Sequence, residues 1–151
     1  MNSTEYAALA DPTFEQLTEY VNEMLNIDTT NLDREQAKTS RIFVDLYRLL
    51  QVESRRLRDI MGLHDKVVHD RKRYYSGKAT GAEYRAEPLN VTVLKTEMDQ
   101  YLNIDEKIRT VKGAVADADM RVKFVEDSIK VAKGRTYDIR NMLQWKQLTQ
   151  S

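Results

Sequence analysis

Apolar residues recur at three- and four-residue intervals in three stretches of the chain, separated by polar breaks. The first follows Asp11-Pro12, a pairing that suits an N-cap and a first helical position. Phe14, Leu17, Val21, Met24 and Leu25 then share one face, with Glu15, Glu19 and Glu23 on another, so a short amphipathic helix is expected to end near Asn26. Residues 1–10 show no period and are expected to be loose. Asp28-Thr29-Thr30 reads as a turn that caps the next helix. The second stretch predicts one helix over residues 32–75, with a seam of Phe43, Leu46, Tyr47, Leu50, Leu57, Ile60, Met61, Val67, Val68, Tyr74 and Tyr75. Glu53, His64 and Arg71 fall on the same stripe. Polar seam residues set register or mark a wet gap, and Arg71 can instead mark where the helix emerges into solvent.

The third stretch is more regular. From Tyr101 and Ile104 the chain places Ile108, Val111, Val115, Ala118, Val122, Val125, Ile129, Ala132, Thr136, Ile139 and Leu143 at 3-4 spacing without a slip. Sustained apolar heptads flanked by charges are a coiled-coil signature, so residues 91–148 are expected to form a C-terminal helix. Asn90 to Val93 is alternatively a short strand, and Gly134, off the seam, produces a kink at most. Such a seam can be covered by other copies of the chain or by the second helix folded back on it. Narrow seams bury little apolar area per residue, which leaves a lone protomer marginal and favours an obligate homo-oligomer. Ile108, Val111, Val115, Val122, Val125, Ile129, Ile139 and Leu143 are the expected oligomerisation residues.

Composition narrows the class. The 151 residues fit one helical domain, with 41% hydrophobic and 32% charged residues, five Gly and two Pro. Few breakers and many charges suit long helices and not a strand-rich fold, so the expected class is all-α. No run approaches the ~18 apolar residues of a membrane span, and the start lacks the basic and apolar regions of a secretory signal. With no Cys there is neither disulfide nor thiolate chemistry. The net charge of zero hides a segregation: residues 1–30 carry −6, residues 31–90 carry +4 and the remainder +2. An acidic N-terminal helix beside a basic body can contact a basic protein, or simply present a solvated face.

Catalytic signals are absent. His64 and His69 are five apart, which does not align two metal ligands on a helix, and no cofactor is implied. Gly77-Lys78-Ala79-Thr80 fails as a phosphate loop, because Lys72 occupies the place of its first glycine and Ala79 that of its Ser/Thr. No nucleophile stands with a base, so an enzyme is not expected.

What remains is the apex between the two long stretches, the loop over residues 76–90 and the helix end before it. Arg71, Lys72, Arg73 and Lys78 surround Tyr74 and Tyr75 with no acid among them. Cations neutralise phosphates and tyrosine faces stack on unpaired bases, the two parts of a single-strand site. The same residues have a plainer use, since cations in a last helical turn favour the macrodipole and two tyrosines can close a seam.

Arg71 to Gly77, with its Tyr74-Tyr75-Ser76-Gly77, and the turn Ile27-Asp28-Thr29-Thr30-Asn31-Leu32 resemble the UvsY-like recombination mediators of T-even-type bacteriophages; Gly81 and Tyr84 fit the same pattern. The resemblance runs from about Phe14 to the C-terminus. It implies a homo-oligomeric ring, a hexamer or heptamer assembled through the C-terminal part. It also implies binding to single-stranded DNA and the loading of a RecA-like (UvsX-type) recombinase onto strands covered by single-strand-binding protein, in the cytoplasm of the infected host. Two basic residues acting in DNA binding carry over onto His69 and Arg71, and His69 is mostly neutral at pH 7; Lys72 and Arg73 stand beside them. The competing reading is a structural coiled-coil adaptor whose apex meets protein.

Overall fold

The computed structural model describes residues 1–150, all-helical with no strand among them. Seven helices follow in order: α1 (Ser3–Ala7), α2 (Phe14–Leu25), α3 (Leu32–Ala37), α4 (Thr39–Tyr75), α5 (Gly81–Ala86), α6 (Met98–Ile104) and α7 (Glu106–Gln150). They divide into two compact units, Met1–Glu53 with the chain from Arg121 onward, and Ser54–Met120.

In the first unit the N-terminus carries a one-turn helix, α1. Asn2 caps α1 through a reciprocal pair, its side chain accepting from Glu5 N–H (2.9 Å) while Glu5 accepts from Asn2 N–H (2.8 Å). Tyr6 stacks on Tyr20 at 4.4 Å, which ties this turn to α2. The cap of α2 is Thr13 and not Asp11, because Thr13 and Gln16 form the same reciprocal box, satisfying two helix-end groups that Asp11 would satisfy singly. Leu17, Tyr20 and Val21 of α2 pack with Ile42, Leu46 and Leu49 of α4 and with Val125, Ile129 and Ala132 of α7. Each set keeps helical 3-4 spacing, so three stripes meet in one core.

Charged side chains are built into this unit. Glu53 accepts two hydrogen bonds from Arg121, at 2.7 and 2.9 Å, and both residues are buried. Glu35 and Arg135, also buried, form a second pair. Arg135 further donates to the Glu35 carbonyl at 3.3 Å, which also accepts from Lys38 N–H three residues on. Drawing that carbonyl out of the regular ladder explains why the single helix expected over 32–75 is two, α3 and α4, separated at Lys38. Asp28 makes the expected turn, accepting from Thr30 N–H and Oγ1. It does not cap α3, whose N-cap is Asn31 without a side-chain bond.

The heptad seam of α7 is buried inside the chain. Val122, Val125, Ile129 and Ile139 are covered in the first unit, and Ile108, Val111 and Ala118 in the second, without any second copy. Of the expected oligomerisation residues only Val115 and Leu143 keep partial exposure. Most of this stripe is therefore already covered by the chain's own side chains within the protomer. Other apolar side chains of α7 are left in solvent: Val131, Tyr137, Trp145 at 68% and Leu148 at 72% exposure.

In the second unit, α4 ends in a Schellman turn. Lys78 N–H bonds Arg73 O (2.9 Å) and Gly77 N–H bonds Tyr74 O (3.2 Å), with Gly77 at φ 78, a conformation that disfavours any side chain. The expected apex loop contains α5, capped by Thr80 accepting from Glu83 N–H. The C-terminal helix does not run unbroken from the loop. It breaks at Asp105, so Ile104 is exposed and Leu102 takes the buried place. Beyond the break α7 continues through Gly134.

Candidate nucleic-acid interface

The apex lies wholly in the second unit. Lys72, Arg73 and Lys78 are exposed, and among the described residues no carboxylate stands within ion-pair distance of them. Their backbone is fixed by the Schellman turn and by Arg73 Nη2 donating to Lys78 O (3.2 Å), and Ser76 Oγ closes back on Lys72 O at 2.6 Å. Three positive groups are thus presented by an ordered helix end. His69 is also exposed, one turn earlier on α4.

Arg71 is placed differently. Its sequence neighbours made it look like the point where α4 meets water, yet it is 6% exposed and its charge is matched. Nε donates to Asp105 Oδ2 at 2.8 Å, and Nη1 and Nη2 donate to the two oxygens of Glu87, each at 3.0 Å. The guanidinium also lies over the Tyr74 ring, 4.2 Å from its centroid. Burial works against this charge, but the bonds from Glu87, Tyr75 and Asp105 outweigh it and hold the group more strongly protonated than usual.

The two tyrosines follow Arg71 inward. Tyr74 is buried, with its hydroxyl donating to Glu87 O (3.1 Å) and its ring stacked on Tyr84 at 5.4 Å. Tyr75, half-buried, donates to Asp105 Oδ2 at 2.6 Å. Tyr74 therefore presents no free face of the kind the stacking expectation requires. Burial raises both hydroxyl pKa values, with neighbouring carboxylates adding to it, so both stay neutral near pH 7. Tyr84 completes the arrangement, donating to Tyr74 O (2.7 Å) and accepting from Ala79 N–H (3.2 Å). Tyr75, Tyr84, Pro88 and Val93 border a recess of about 460 Å³ beside the turn, large enough in volume for a base.

Asp105 is the hub. One oxygen caps α7 by accepting from Ile108 N–H (3.0 Å), and the other takes Arg71 and Tyr75. Burial would raise its pKa, but Tyr75, Ile108 N–H and Arg71 together bring it below the usual carboxylate value. Glu87 is lowered first by its bonds to Arg71, and Glu35 is lowered because Lys38 and Arg135 outweigh its burial. All three carboxylates bind fewer protons folded than unfolded. Their contribution to stability is complete above the ordinary values of 3.8 and 4.5 and is lost as pH falls below them. Melting followed by circular dichroism is expected to be flat from pH 7 to about 5 and to drop steeply below about pH 4. A melting temperature that rises on acidification would contradict these pairings.

Residues 20–151 match the family described as recombination, repair and ssDNA binding protein UvsY. The chain belongs to the UvsY family. Crystal structures of the bacteriophage T4 recombination mediator protein UvsY are similar along nearly the whole chain. The lattice type II form gives a TM-score of 0.76 at 19% identity, covering 93% of this chain and 100% of that one. The lattice type IV form gives 0.77 at 19% identity, with 91% and 99% covered. At such identity the likeness is one of fold. None of the curated proteins matches the sequence.

Within this family member the apex cations divide into two classes that sequence spacing did not separate. Lys72, Arg73 and Lys78 face water, whereas Arg71 holds the turn together. The partners that make the difference, Glu87 and Asp105, lie 16 and 34 residues away and were not singled out. The available signal was the run Asp105-Glu106 opening a regular heptad helix, a capping pattern that the in-phase Tyr101 and Ile104 concealed. Among the described residues no helix is long and apolar enough to cross a membrane.

Proposed function

We propose that this protein is a recombination mediator whose apex grips single-stranded DNA, helping a RecA-like recombinase onto strands coated by single-strand-binding protein in the cytoplasm of a phage-infected host. The observation that carries the reading is the trio Lys72, Arg73 and Lys78, exposed, without acidic partners and fixed on an ordered turn, in a member of a single-stranded-DNA-binding family. Arg71 contributes by holding that turn, His69 flanks it, and the recess beside Tyr75 and Tyr84 offers room for an unstacked base. One apex makes few phosphate contacts and binds weakly, so several apices on a homo-oligomeric ring supply the avidity a mediator needs.

The exposed apolar side chains of α7 support assembly through a face other than the heptad seam. Trp145 and Leu148 near its end are the strongest candidates. Trp145→Ala with Leu148→Ala is expected to lower the sedimenting mass while the helical circular dichroism stays unchanged. Sedimentation like the parent's would remove these residues from the interface.

The test of function is titration of labelled oligo(dT) and of a duplex of the same length. Tight, salt-sensitive binding that prefers the single strand supports the mediator reading. Absent or salt-insensitive binding favours a structural adaptor whose apex meets protein.

A further inference from the structure

Glu87 stands where an anion from outside would be expected. Its two oxygens face the forked edge of Arg71 at 3.0 Å each, and Oε2 is also 3.4 Å from Lys107 Nζ, so it bridges two cations. Arg71 itself is held from behind, by Asp105 on Nε and by the Tyr74 ring against its face. The guanidinium therefore keeps its orientation whether or not Glu87 is there. A planar fork fixed in place beside an ammonium group is a geometry that binds phosphate oxygens bidentately.

The carboxylate itself is poorly confined. Its side chain is 47% exposed, against 8% for that of Arg71. The Glu87 backbone, by contrast, is anchored on both sides, its carbonyl accepting from Tyr74 Oη (3.1 Å) and its N–H donating to Glu83 O (2.9 Å). A rotation about the side-chain bonds alone would vacate the seat and leave the turn intact. Asp70 and Glu83 line the adjoining groove, but neither bonds Arg71, and Glu83 pairs with Thr80.

We propose that Glu87 is an internal competitor that occupies a phosphate seat formed by Arg71 and Lys107, and that a phosphodiester of the single strand displaces it. The inference rests on the strand-binding role given above and assigns its regulation. In the closed state the seat is filled and only the exposed cations meet the strand. In the open state Glu87 swings into solvent, and Arg71 and Lys107 add a further phosphate contact. The grip is then self-limiting, since the carboxylate is always at hand to release the strand, which suits a protein that must pass DNA to another.

Glu87→Gln tests this directly. The amide keeps an oxygen for Arg71, so the apex stays folded, but it no longer competes as a charge. Oligo(dT) affinity is expected to tighten about fivefold at 0.1 M salt, with the salt slope steeper by about 0.7, the value of one added phosphate contact on a single strand. Adding Lys107→Ala is expected to cancel most of the gain. Unchanged or weaker binding by a Glu87→Gln protein that keeps the parent's helical circular dichroism overturns the competitor role while leaving the strand-binding reading in place. A parent that binds no oligo(dT) overturns that reading instead. The seat is then judged with inorganic phosphate against sodium chloride at equal ionic strength. Phosphate is expected to raise the melting temperature of Glu87→Gln by about 2 °C and to leave the parent unmoved. Equal responses would mean that no such seat exists.

Discussion

Glu53→Ala is expected to cost about 3–5 kcal/mol, which lowers the melting temperature by about 10–15 °C for a chain of this size. The Glu53 side chain is only 1% exposed, and it accepts two short bonds from Arg121. Truncating the acid leaves the Arg121 guanidinium buried without that carboxylate, and desolvation of the charge is then set against much less. Total stability in such a domain is only about 5–15 kcal/mol, so a loss of this size is a large part of the whole. The companion change separates two meanings of the result. Glu53→Leu with Arg121→Met removes both charges and is expected to recover most of the loss, because a matched apolar pair is often as stable as a buried ion pair. Thermal melts of the three proteins decide it. A Glu53→Ala protein that melts within 2 °C of the parent would show that the pair is not buried as described.

That pair also marks the limit of what the sequence made legible. The stripe of α7 could be read residue by residue, because 3-4 spacing belongs to helices alone, and Ile108, Val111, Val122, Val125, Ile129 and Ile139 are all buried. What covers them could not be read, since the same seam geometry serves within a chain or between chains. Glu53 was correctly placed on the seam of α4 as an interruption, but its partner Arg121 is 68 residues away and adjoins Val122 without sharing its stripe. At the apex, local charge density suggested one exposed cluster of four cations. Three of them are so placed, and Arg71 turned inward because Asp105 and Glu87 arrive from distant parts of the chain. Long-range ion pairs have no period, so spacing rules do not find them.

The second large effect is expected at the apex surface. Lys72→Ala, Arg73→Ala and Lys78→Ala together remove the three exposed cations that pair with no carboxylate, and leave the Arg71, Asp105 and Tyr75 contacts in place. Each lost phosphate contact on a single strand lowers the salt slope by about 0.7, so three reduce it by about 2 and weaken binding about a hundredfold at 0.1 M salt. Folding is expected to change little, because none of the three side chains is buried and only the exposed bond from Arg73 to Lys78 O is lost. The same changes made at an exposed site unrelated to the strand would do far less.

Oligo(dT) titration of the parent and of the triple alanine protein over a range of sodium chloride concentrations, with sedimentation run alongside, is the most direct trial of the apex. The expected result is parallel sedimentation, a slope flatter by about 2 and a large loss of affinity in the variant. Equal slopes and equal affinities in two proteins of the same mass would place the strand elsewhere on the molecule.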